Sequence, residues 1–232
     1  MRSTSENRLS MAMENYLLSI IRLQEQDTKV TAAQLSEHFK SLPMGEGLGT
    51  SLPSVSAMIR RMTREKLVTT SSDKEISLTK TGLTEAESIL RRHRLAERLA
   101  VDVLKVDLRR AHEEAHRLEH AFSPYLESRV VEILGYPTTC PFGHPIPGSE
   151  YVFNSSTVFL NQAKIGEDYL VERVPEDDTE LLGYFVDNDF LPGAPIQITD
   201  LSNARGVITL QLANKELVFS MGISNLVRVT PV

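Results

Sequence analysis

The sequence predicts a mainly α-helical chain with a small β component. It falls into three parts: helices followed by a hairpin, a helical middle, and a small C-terminal β-barrel. Three observations predict this. Apolar residues recur at helical spacing through most of the chain up to residue 135. Pro and Gly gather at 40–52 and 136–148, where helices cannot continue. Beyond residue 151 short runs of strand-forming residues replace the long periodic ones. The boundaries are drawn at 1–80, 81–150 and 151–232.

The first helix is expected over Glu14–Gln26, with Met13, Leu17, Ile20 and Ile21 on one face. Thr31 is placed to cap a short helix carrying Ala32, Leu35 and Phe39. Lys40–Leu52 holds Pro43, Gly45, Gly47 and Gly49 and reads as a loop. Pro53 suits the first turn of a third helix, whose buried stripe is Val55, Met58, Ile59 and Met62. Leu67–Thr70 and Ile76–Leu78 read as strands joined by a turn. Helix, helix, loop, helix, hairpin is the order of a winged helix-turn-helix, whose third helix enters the DNA major groove.

A long helix is expected over Leu83–Leu104, and a second over Leu108–Phe122 capped by Asp107. Ser123 and Pro124 start a third, which Gly135 ends. Tyr136–Gly148 reads as a turn and a linker. Tyr169–Val174, Ile196–Thr199, Val207–Gln211, Leu217–Phe219 and Leu226–Val229 read as barrel strands, with a short helix over Glu180–Val186.

The formal net charge is −6, an unpromising balance for a DNA-binding protein until the charge is located. Residues 58–98 carry ten Lys or Arg against six Asp or Glu, whereas 141–232 carry five against twelve. A local basic excess is the form an electrostatic footprint on DNA takes. The N-terminus lacks the apolar stretch of a secretory signal, and no apolar run is long enough to span a bilayer. The single cysteine, Cys140, excludes an internal disulfide. These features lead to the expectation of a cytoplasmic protein with no membrane partner and no small organic substrate.

The richest chemistry lies in His112-Glu113-Glu114-Ala115-His116-Arg117-Leu118-Glu119-His120. On an α-helix His116, Glu119 and His120 share a face, and His112 lies one turn earlier. His93 and Glu97 form another i, i+4 pair in the preceding helix. Imidazoles and carboxylates converging in this way can coordinate a divalent ion. The same stretch contains His-Glu-x-x-His, the signature of zinc hydrolases, in which Glu113 would activate water. A winged helix has no role in that alternative. A DNA-binding regulator with structural metals and another effector is a further alternative.

The segments RRHRLAERL (91–99), HEEAHRLEH (112–120) and PFGHPIPG (141–148) resemble the diphtheria toxin repressor family of metal-dependent regulators. The resemblance covers nearly the whole chain. It implies a metal-binding helical dimerisation domain and a C-terminal SH3-like, FeoA-type domain. Residue by residue, His93, Glu97 and His112 match an ancillary metal site. His116, Glu119 and His120 match the primary site, with Asn15 in the position of its remaining ligand. The SH3-like domain adds a polar ligand, for which Glu176 aligns best, then Asp177, with Glu172 possible. Arg94, Cys140 and His144 fall where some relatives bind an anion. Cys140 and His144 replace Ser and Asn there, so that role is not carried over, and Cys140 reads as a passive loop thiol. Iron-responsive relatives have Met and Cys at the positions of Asn15 and His116, and manganese-responsive relatives have acidic residues. An O/N donor set without thiolate favours Mn²⁺ over Fe²⁺, at two sites per subunit.

For DNA, the third helix offers Ser51, Pro53, Ser54, Ser56, Ala57, Arg60 and Arg61, and the hairpin tip offers Lys74. Arg60, Arg61, Arg64 and Lys66 suit phosphates. Ala57 can make only an apolar base contact, where relatives carry Gln. The resemblance implies a homodimer on double-stranded operator DNA that represses genes of metal homeostasis, such as uptake transporters. Imidazole coordinates only when unprotonated, so acidification below about pH 6.5 is expected to weaken metal and DNA binding together.

Overall fold

The computed structural model describes residues 9–26, 28–41 and 48–232. Pro43, Gly45 and Gly47 of the expected loop lie outside the described residues. The chain divides into two compact units, one of Met1–His93 with Glu119–Ala121, the other of Arg94–Leu118 with Phe122–Val232.

In the first unit α1 spans Met11–Glu25, three residues earlier than expected at its start, because Ser10 caps it. α2 is Ala32–Ser41, and Thr31 Oγ1 accepts from Gln34 N at 3.3 Å as expected of a cap. α3 is Leu52–Arg64, with Ser51 as N-cap and Pro53 in the first turn. Strands β1 (Val68–Thr70) and β2 (Ile76–Leu78) pair antiparallel as the wing. Ile76 N also donates to Val30 O at 2.8 Å, which fastens the wing to the α1–α2 connection. Val55, Ile59 and Met62 of α3 bury against Met13, Leu17 and Ile20 of α1, Leu35 and Phe39 of α2, and Ile89 and Leu90 of the next helix.

That helix, α4, is Lys80–Arg98 and begins three residues before the expected Leu83. Gly82 lies outside the expected span. Here it sits in the first turn, its N–H capped by Thr79 Oγ1 at 3.0 Å. A side chain at Gly82 would run into the Leu67 carbonyl, so close packing explains the glycine.

In the second unit α4 runs on into a π-helical turn, Leu99–Val103. α5 is Leu108–Leu118, started by Asp107, whose Oδ1 accepts from Arg109 N at 2.9 Å. The expected continuation to Phe122 tightens into a 3-10 turn over Glu119–Ala121. Such a turn advances about 120° per residue rather than 100°, so Glu119 and His120 are rotated by a few tens of degrees from where α-helical spacing places them. α6 is Pro124–Ile133, capped by Ser123, and Gly135 follows at φ +70° as a helix-ending residue.

The C-terminal strands are β3 (Val158–Phe159), β4 (Asp168–Arg173), β5 (Pro195–Ser202), β6 (Val207–Leu212), β7 (Lys215–Ser220) and β8 (Arg228–Pro231). α7 (Thr179–Asp187) follows β4 and α8 (Met221–Ser224) follows β7. They form one antiparallel sheet, ordered β3-β8-β4-β5-β6-β7. The expected small barrel is an open one: β3 and β7 are the sheet's edges, and among the described residues no pairing joins them. Register shifts in β4 and β5 curl the sheet without closing it.

The segment 136–148 is more than a linker. Cys140 and Phe142 are fully buried in one core with Ala111 of α5, Phe185 and Phe190 around α7, and Ile198, Leu210 and Val229 of the sheet. Phe142 O accepts from Val174 N at 3.1 Å. Arg109 of α5 pairs with Asp187 at the end of α7. Helices and sheet are therefore packed together across residue 150.

Glu172 on β4 accepts from the hydroxyls of Tyr151 at 2.7 Å and Thr230 at 2.6 Å, and from that of Thr157. Burial opposes its ionisation, but the hydroxyls of Thr157, Thr230 and Tyr151 prevail and hold the carboxyl below its ordinary range. A carboxyl with a depressed folded pKa contributes stability above its unfolded pKa and loses it as pH falls through the folded value. Glu172→Gln is therefore expected to flatten the acid limb of stability below about pH 4.5. Urea midpoints measured against pH check this, and an unchanged limb would contradict it.

Candidate metal centre

His93 and Glu97 lie one turn apart on α4, and His112 and His116 one turn apart on α5. His112 Nδ1 is 3.1 Å from Glu97 Oε1, and its Nε2 is 3.2 Å from His116 Nε2 and 3.7 Å from Asp177 Oδ1. Glu176 follows β4 in the same neighbourhood. His93, Glu97, His112 and Glu176 each offer one ligand atom, all within 4.8 Å of one another, and all four residues are buried. His93, His112 and His116 form an overlapping group by the same measure. Two carboxylates buried together are costly unless a cation shares them. Two carboxylates and two imidazoles are a fitting donor set for a divalent transition ion. Asp177 stands at the rim and is half-buried.

Cys140 and His144 close the Glu176 end. The thiol donates to Glu176 Oε2 at 3.7 Å, and His144 Nε2 is 3.8 Å from the same oxygen. Burial pushes the Cys140 thiol well up, and the Glu97 and Glu176 carboxylates add to the effect. Cys140 is therefore a buried, protonated thiol beside Glu176.

Glu119, fully buried, joins a second set. Its Oε2 is 2.6 Å from His93 Nδ1, and its Oε1 is 3.3 Å from His120 Nε2. Asn15 is buried on α1. The structure thus brings Glu119 to His120, and His116 to His112. Glu113 pairs with Arg117, and Glu172 is committed to its three hydroxyls.

Ser51, Pro53, Ser54, Ala57, Arg60 and Arg61 are exposed on α3, and Ser56 is half-buried. Five of them border two depressions, with Ala57 between the two. Ser56, Ala57 and Arg60 face a groove of about 1070 Å³ shared with the start of α2 at Thr31 and with Lys74 on the wing. Ser54 and Arg61 face a smaller one beside Ala12 and Tyr16 of α1. Arg61 is also paired with Glu65 at 3.0 Å. At the wing turn Asp73 pairs with Lys29, which together with the Ser71 hydroxyl holds its carboxyl at about 2.

A family model described as iron dependent repressor, metal binding and dimerisation domain matches residues 79–148, and a FeoA domain model matches 158–231. The diphtheria toxin repressor of Corynebacterium diphtheriae is 29% identical over 230 residues, covering 93% of this chain and 95% of that one. The iron-dependent repressor IdeR of Mycobacterium leprae is 30% identical over 240 residues, covering 97% of this chain and 100% of that one. The chain belongs to the diphtheria toxin repressor family. A solved manganese-dependent transcriptional repressor in complex with manganese matches the fold with a TM-score of 0.83 at 26% identity, covering 95% of this chain and 100% of that one. The manganese regulator SloR matches at 0.79 and 27%, covering 97% and 100%. These relatives of the family are repressors, not enzymes, so the zinc-hydrolase alternative falls away. Among the described residues no helix is long and apolar enough to cross a membrane.

Sequence reasoning missed Glu14, Arg92 and the siting of Cys140. Glu14 precedes Asn15 in a helix that the structure buries at every residue from Met13 to Arg22. For Cys140 and Arg92 the partners are distant in sequence, and no local pattern announces them.

Proposed function

We propose that the chain is a metal-activated, DNA-binding transcriptional repressor acting as a homodimer on operator DNA, and that Mn²⁺ is favoured over Fe²⁺. The observation that carries this is the buried set His93, Glu97, His112 and Glu176, four ligand atoms within 4.8 Å in a member of a metal-dependent repressor family. Those residues would hold one ion, with Asp177, Cys140 and His144 around it. Asn15, His116, Glu119 and His120 would hold the second. A divalent cation supplies a positive centre shared by side chains from separate elements, which restricts their relative motion. α1 carries Asn15 and packs on α3, so ordering α1 orders the reading helix. Ser51, Pro53, Ser54, Ser56, Ala57, Arg60, Arg61 and Lys74 would meet the duplex. The exposed apolar residues Val103, Leu104, Tyr125, Leu126, Ile133 and Tyr136 support a self-association surface. Coupling between metal and DNA is reciprocal, typically about 1–3 kcal/mol for a linked pair of sites.

The test uses duplexes selected from a random pool with Mn²⁺ present. Gel shifts are expected to need free Mn²⁺, to vanish with chelator, and to weaken in His116→Ala. Equal binding with and without metal by both proteins would reject the proposal and favour a regulator with another effector.

A further inference from the structure

We infer that Glu14 is a positioning residue for the centre at Asn15, Glu119 and His120: held by Arg92, it fixes the His120 ring with its proton on Nδ1 and leaves Nε2 facing Glu119. The inference rests on the metal-centre reading above and concerns a residue that supplies no ligand atom itself.

Glu14 is 6% exposed on α1, between Met13 and Tyr16 at 1% and 2%. A carboxylate in such a place is costly unless its oxygens are satisfied. Both are. Oε1 accepts from Arg92 Nη2 at 2.7 Å, and Oε2 is 2.7 Å from His120 Nδ1. With both oxygens engaged, Glu14 orients a ligand rather than acting as one. An ionised carboxylate only accepts, so the short contact places a proton on Nδ1. In the neutral ring the lone pair is then on Nε2, the nitrogen 3.3 Å from Glu119 Oε1. Metal-binding histidines are commonly set in this way by a carboxylate behind the ring.

Arg92 makes the arrangement rigid. Its Nε donates to the Glu119 carbonyl at 3.1 Å and its Nη1 to Ser88 Oγ at 3.1 Å. One guanidinium therefore ties α1, α4 and the 3-10 turn bearing Glu119 and His120. Its fork geometry suits it to several acceptors at once, which an ammonium cannot match. Because α1 packs on α3, Glu14 also lies on the route from the centre to the reading helix.

The experiment follows the His120 ring nitrogens by ¹⁵N NMR in metal-free protein at about pH 9, where an ordinary imidazole is neutral. It is paired with Mn²⁺ affinity by chelator competition for wild type, Glu14→Gln and His120→Ala. Wild type is expected to show a single tautomer protonated at Nδ1. Glu14→Gln, which replaces one of the two accepting oxygens facing Arg92 and His120 by an NH2 donor, is expected to show mixed tautomers and a 10–100-fold weaker site. A wild-type ring protonated at Nε2 overturns the inference, even if the variant fails to fold. So does Glu14→Gln affinity equal to wild type while His120→Ala is impaired. Equal affinity in wild type and His120→Ala overturns instead the metal-centre reading beneath it.

Discussion

Gly143→Ala is expected to destabilise the second unit by about 2–5 kcal/mol, the sum of left-handed backbone strain and a forced shift of packed backbone. Gly143 sits at φ +89°, and a Cβ there would run into the Glu172 carbonyl of β4. The collision is with main chain, which no side-chain rotation relieves. Gly135 provides the control. It has φ +70° but nothing within 4 Å of a built Cβ, so Gly135→Ala carries the strain alone, about 1–2 kcal/mol. Thermal or urea unfolding of the two variants separates the contributions. Equal losses would mean that close approach to β4 contributes nothing. The variant should also loosen the metal cluster, because the same turn carries Cys140 and His144, whose backbones are bonded from Cys140 N to His144 O at 2.8 Å.

His112→Ala is expected to weaken metal binding at the buried cluster by about 100-fold or more, equivalent to about 2.7 kcal/mol. His112 is the hub of that cluster. One ring nitrogen is against Glu97 and the other is near both His116 and Asp177. Its removal leaves the buried carboxylates of Glu97 and Glu176 with one imidazole fewer around them. Reciprocal coupling then requires the metal response of DNA binding to fall as well. The comparison variant is Glu113→Gln, on the same helix but paired with Arg117, which should leave metal binding unchanged. Equal losses in the two variants would assign the effect to α5 rather than to ligation.

The helices of the first unit were legible because their buried stripes are periodic and their start signals local, as with Thr31 for α2 and Pro53 for α3. The candidate ligand residues were legible for the same reason: His93 with Glu97, and His112 with His116, are pairs one helical turn apart. What escaped was set by tertiary contacts. Gly82 is kept in a helix by the Leu67 carbonyl, and Phe142 turns a Pro- and Gly-rich stretch into core. His120, in the 3-10 turn at Glu119–Ala121, meets Glu14, a partner 106 residues away in sequence. β3 is only two residues long, too short for a periodic signal. The curl of the sheet depends on register shifts that alternation does not encode.

Equilibrium dialysis of the intact protein against Mn²⁺, with His112→Ala measured beside it, reaches the heart of this account. Wild type should hold about two ions per chain and the variant about one, with protons released as the first ions bind. A wild-type chain that holds none, or a variant that holds as many as wild type, would show that the buried imidazoles and carboxylates of α4 and α5 do not bind metal.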